Sequence, residues 1–188
     1  MPGRPHDPVS PHDVGVATTE RVRFAIAGAL LSFAALLQSV LGPSWPLVRG
    51  RPDLVLVIVL AWAMLRGSGE GAFVGFLGGM LLDSVTYTQF GINTALFGLI
   101  GYCTGLPEVN VYRGNLPYFL GIAAIATLAY HTLYFLILQA LGNSMPPLIE
   151  TYAAAVPAAA LNALLVPLAF VACRRLLRAM AGWSQLRL

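Results

Sequence analysis

The apolar positions of this chain gather into long blocks separated by short clusters of proline, glycine and arginine. The first block, 24–41, runs eighteen residues without a charge. At about 1.5 Å rise per residue it approaches the roughly 30 Å of a bilayer's hydrocarbon, which predicts a spanning helix. Blocks 54–65 and 71–82 hold twelve residues each and are separated by Arg66, Gly67, Ser68, Gly69 and Glu70. Taken alone they read either as two short helices or as one long broken one. Further blocks at 90–106, 118–141 and 152–173 are bounded by Pro107 and Pro117 or by Pro146 and Pro147. Pro157 and Pro167 lie inside the last block, where a missing N–H and a ring clash predict a kink or local unwinding.

Composition excludes several classes at once. Hydrophobic residues make up 57% and charged residues 10% of the 188, with mean hydropathy +0.74, whereas a soluble domain is about a quarter charged. A water-soluble globule, a disordered chain and a secreted disulfide scaffold are excluded. The net charge of +3 comes with eleven basic residues, all arginine and mostly beside apolar blocks, so they read as topology signals and not as a nucleic-acid surface. If 54–82 forms two helices and the N-terminus is inside, Arg4, Arg21, Arg23, Arg66, Arg113, Arg174, Arg175, Arg178 and Arg187 are cytoplasmic. Only Arg49 and Arg51 are then external. The predicted fold is all-α, with six transmembrane helices and both termini cytoplasmic.

The expected organisation is a disordered tail over 1–23, marked by Pro2, Pro5, Pro8 and Pro11, then a membrane domain over 24–173 and a basic tail over 174–188. The last tail alternates arginine with apolar residues and is expected to lie along the inner leaflet with its guanidinium groups snorkelling. Trp45 fits an interfacial loop between the first two spans. Cys103 and Cys173 are expected as small buried residues and not as a disulfide or metal pair.

Candidate functional residues are few. Gly71, Gly75 and Gly79 recur at helical spacing, Gly101 and Gly105 repeat the device, and Ala25 and Ala29 do so more weakly. Such rows allow helix backbones to approach closely, against another helix of this chain or a partner's. Asp83 abuts an apolar run, where an ionisable group is expensive and points either to function or to a helix end. His131 and Tyr134 share a stripe with Thr127, and Asn93 and Asn162 offer amides for bonds across helices. No nucleophile has a base at catalytic spacing, and neither a metal motif nor a phosphate loop occurs, so neither enzyme nor cofactor is expected.

The run Pro52-Asp53-Leu54, the helix Gly71-x3-Gly75-Phe76-Leu77-Gly78-Gly79-Met80-Leu81-Leu82-Asp83, then Gly91-Ile92-Asn93 and Gly101-Tyr102-x2-Gly105 resemble the rod shape-determining protein MreD family. The resemblance covers about 24–178. It implies a multi-pass protein of the bacterial inner membrane, a scaffold of the elongation machinery without catalytic activity. Implied partners are the bitopic protein MreC, other membrane proteins of that machinery and MreB filaments, with homo-oligomerisation left open. The family is also similar in its six-helix architecture to the S subunits of energy-coupling-factor transporters, which makes vitamin binding the alternative. A vitamin binder requires aromatic and polar groups converging on an external pocket, and the external loops here carry few.

Overall fold

The computed structural model describes the backbone of residues 11–41, 50–86, 89–106, 115–144 and 146–185. Trp45, the prolines before Pro11, Pro107, and Arg4, Arg49, Arg113 and Arg187 lie outside the described residues. The described chain is all-α, with six helices: α1 (Pro11–Leu41), α2 (Leu54–Arg66), α3 (Ser68–Val85), α4 (Ile92–Thr104), α5 (Leu116–Ala140) and α6 (Leu148–Gln185). Three of them contain stretches long and apolar enough to cross a membrane: Arg23–Val40, Leu116–Ala140 and Leu148–Ala179.

The turn between the two short blocks resolves them into separate helices. Gly67 has φ +92°, a left-handed conformation that side chains disfavour, and it ends α2 and starts α3 in a single residue. Asp53 caps the other end of α2, its Oδ1 accepting from the Leu56 amide at 3.2 Å. Nine of the thirteen α2 residues are buried, including Leu56, Leu60 and Trp62. A helix that is apolar all round belongs inside the bundle, and α2 sits at its centre against α3, α6, α4 and α1. Shielded by those neighbours, it does not have to match the hydrocarbon thickness, so thirteen residues suffice.

At two places the helices outrun the apolar blocks. α1 begins at Pro11 and enters the block at 24 without a break, so residues 11–23 are helical where a disordered tail was expected. Proline is tolerated there because the first turn has no partner for its missing N–H. α6 is one uninterrupted helix of 38 residues, about 57 Å long, that passes through Pro157, Pro167 and the boundary at Cys173. The basic segment is therefore a continuation of α6 and not a separate helix laid on the leaflet. Local unwinding at the two prolines does not occur. At Pro157 the bulk of α6 is matched by Gly50, buried so closely that a Cβ there would stand 2.6 Å from the Ala154 carbonyl and 2.8 Å from the proline ring.

Candidate functional site

Among the described helices α3 and α4 make the most extensive contact, and glycine is the reason. They are joined by a short connection and run antiparallel with their backbones nearly touching. A Cβ added at Gly71 would lie 2.5 Å from the Gly101 carbonyl oxygen and 2.6 Å from the Ala63 side chain. At Gly75 it would run into the Phe97 carbonyl, and at Gly79 into the backbone of Asn93 and Thr94. Gly105 meets Gly67 and Ser68 in the same way at the other end. The row Gly71, Gly75, Gly79 on α3 is thus filled by Gly101, Phe97 and Asn93 on α4. Gly78 flanks the row on the side of α2 and packs against Val55 and Leu31.

A carboxylate closes the end of this seam. Asp83, 4% exposed, accepts from the amides of Gly91 at 2.9 Å, Asn93 at 3.3 Å and Thr94 at 3.0 Å, and from the Thr94 hydroxyl at 2.7 Å. These are the orphan N–H groups of the first turn of α4, whose N-cap Gly91, at φ +101°, has no side chain to satisfy them. The negative charge also sits at the positive end of the α4 dipole. Asp83 is the capping residue of α4, supplied from α3, which makes it a structural anchor between the two helices.

A second polar node ties the remaining helices. Asn162 of α6 is wholly buried; its Oδ1 accepts from the Asp53 amide at 2.8 Å and its Nδ2 donates to Thr127 Oγ1 of α5 at 3.1 Å. Gln38 of α1 accepts from the Val55 amide at 3.3 Å, beside the Asp53 cap. The Tyr130 hydroxyl donates to Asn93 Oδ1 at 2.7 Å, linking α5 to the end of the glycine seam. His131 Nδ1 bonds to the Thr127 carbonyl at 2.9 Å, and its ring meets Tyr130 edge-on. Tyr134 packs beside Tyr130 with ring centroids 5.7 Å apart. Asp83, Asn93, His131, Tyr134 and Asn162 therefore belong to one region, joined through Tyr130 and Thr127. Sequence reasoning missed Gln38 and gave Asp53 and Tyr130 no site role, although an Asp directly before an apolar run is itself a capping signal for Asp53.

At the opposite ends of α2 and α3, Glu70 gathers three partners. It pairs with Arg66 at 2.8 Å and Arg23 at 3.8 Å, and it accepts from the buried Trp62 indole at 3.2 Å. Partial burial works to raise its carboxyl, but the Arg66 hydrogen bonds and charge, with Arg23 and Trp62, outweigh that and hold it below the usual carboxylate range.

Ala25 and Ala29 lie on the exposed face of α1, and a Cβ at neighbouring Gly28 would meet nothing within 4 Å. Cys173 is buried but Cys103 is exposed. That corrects the expectation for Cys103, which lies on the outer side of α4. There it lines an apolar groove of about 380 Å³ between α4 and α5 with Leu99, Ile122, Ile125 and Ala129. Among the described residues no three His, Cys, Asp or Glu side chains gather as metal ligands. The buried polar groups bond to one another, so their chemistry is the positioning of helices.

A compact helical bundle with long apolar helices, glycine-mediated backbone contact and internally satisfied polar nodes defines a helical membrane protein built for rigid packing. The family model for rod shape-determining protein MreD matches residues 20–180. The chain belongs to the MreD family, whose members are structural proteins with a role in determining rod cell shape. No curated protein and no solved structure matches the chain.

Proposed function

We propose that this protein is a non-catalytic scaffold subunit of the elongation machinery in the bacterial inner membrane. In this reading it spans six times with both termini cytoplasmic, binds MreC through the partner's membrane helix, and helps couple MreB filaments to peptidoglycan synthesis. The family match carries the reading, and the arginine distribution supports the orientation. Of the two small-residue rows considered for a partner, the row on α3 is already filled by α4. The α1 face is the better contact. Ala25 and Ala29 are exposed and continue into exposed Phe33, Leu36 and Val40 on one stripe, so a partner helix can approach closely at one end and pack on bulky side chains at the other. Vitamin binding draws less support, because the polar groups that would hold a ligand are used by each other.

The test is co-expression with an MreC-type bitopic protein, extraction in mild detergent and co-purification. Wild type and Val156→Leu, on the exposed face of α6, are expected to retain the partner, and Ala29→Leu is expected to lose it while remaining monodisperse. A complex that survives both Ala29→Leu and replacement of the partner's membrane helix would refute recognition at this face.

A further inference from the structure

The outward face of α6 changes character within one helical turn. Leu164 is 64% exposed, Leu168 67% and Val171 47%, and they stand at the four-then-three spacing of one helical stripe. The next positions of that stripe are Arg175 and Arg178, with Arg174 beside them, and all three are exposed. At about 100° per residue the three arginines fall within one sector of roughly 100°. Cys173 and Leu177 point the other way, Cys173 buried and Leu177 packed against the core. The stripe facing acyl chains therefore runs directly into three guanidinium groups, because α6 continues without a break past the apolar span.

Among the described residues these arginines have no counter-ion. No Asp or Glu follows Glu150 in the chain, and the ion pairs of the described residues engage Arg23 and Arg66 with Glu70. The apolar part of α6 from 152 to 173 is about 33 Å long, close to the roughly 30 Å of hydrocarbon, which puts Arg174 at the level of the lipid headgroups. We propose that Arg174, Arg175 and Arg178 form a binding site for the phosphate of an anionic phospholipid headgroup. The guanidinium fork binds phosphate oxygens bidentately, and the acyl chains of the same lipid lie along Leu164, Leu168 and Val171. The site rests on the membrane-spanning reading of α6; the leaflet it occupies rests on the proposed orientation.

The experiment uses the full chain reconstituted in phosphatidylcholine mixed with phosphatidylglycerol, extracted in detergent, with the co-purifying lipids counted by native mass spectrometry. Wild type is expected to enrich phosphatidylglycerol, and each Arg→Gln change at 174, 175 or 178 to reduce the enrichment about fivefold. Arg51→Gln, exposed at the far end of the bundle, is expected to change nothing. Arg178→Gln, at an exposed position, keeps the test valid if the combined change at 174, 175 and 178 does not fold. Equal enrichment in wild type and Arg178→Gln overturns the proposal. So does displacement of the lipid by inorganic phosphate at matched ionic strength, which would make the free ion the ligand. A wild type indifferent to phosphatidylglycerol but retained on polyglutamate assigns the face to an acidic protein and also overturns it. Labelling of Ala179→Cys from either side of the cell reads the orientation separately. External labelling refutes the topology and moves the site to the outer leaflet without changing the enrichment.

Discussion

Replacing Gly75 by alanine adds one methyl group at the tightest point between α3 and α4. That methyl would run into the Phe97 carbonyl and stand 3.0 Å from the Gly98 nitrogen, where ordinary contact needs about 3.5–4 Å. The obstacle is backbone on a neighbouring helix and no rotamer relieves it, so the helices must separate by about 1 Å or bend. Overpacking of this kind costs about 1–3 kcal/mol. The gain in helix propensity from glycine to alanine is only about 0.5–1 kcal/mol. Gly121 in α5 and Gly28 in α1 are internal controls, since a Cβ at either meets nothing within 4 Å. Gly121→Ala and Gly28→Ala are expected to be neutral or stabilising by the propensity term alone. At about 2–4 °C per kcal/mol for a chain of this size, Gly75→Ala should melt several degrees below Gly121→Ala, and Gly75→Leu lower still. The assay is thermal unfolding of detergent-solubilised protein, followed by intrinsic fluorescence and size-exclusion profile. A Gly75→Ala protein melting with or above Gly121→Ala would show that the seam is not closely packed and would refute the reasoning.

Two further outcomes follow from the polar contacts. Asp83→Ala removes the acceptor for four donors at the start of α4, each costing about 1–3 kcal/mol if left unsatisfied. Its total loss should exceed about 2 kcal/mol, with Asp83→Asn intermediate, and hydrogen exchange should rise first in the amides of 91–94. Glu70 has a folded-state carboxyl held below its unfolded value, so its contribution to stability is fully present above the unfolded value and disappears as pH falls through the folded one. Thermal stability should be insensitive to Glu70→Gln at the acid extreme and reduced by it near neutrality. Equal sensitivity at both pH values would exclude the Arg66 and Arg23 pairing as the cause.

The class of this protein and the number of its helices followed from the sequence alone, since apolar blocks bounded by proline, glycine and arginine need no knowledge of what they pack against. Their pairing was decided by tertiary structure. Periodicity set Gly75 apart from the lone Gly28 and Gly121 as one of a row with Gly71 and Gly79, but only the position of α4 shows that the row is filled by a helix of this chain. Asp83 announced itself as a carboxylate beside an apolar run, but its role as the cap of α4 depends on the return of the chain at Gly91. Asp53 and Asn162 meet across 109 residues, a relation no local pattern carries. The ends of α1 and α6 differ from the expected boundaries for a local reason: charges mark where a helix leaves lipid, not where it stops being helical. Arg, Leu and Ala sustain a helix as well in water as at an interface. Hydrophobicity locates the membrane along the chain, whereas complementary shape and paired hydrogen bonds, which join residues distant in sequence, determine which helix touches which.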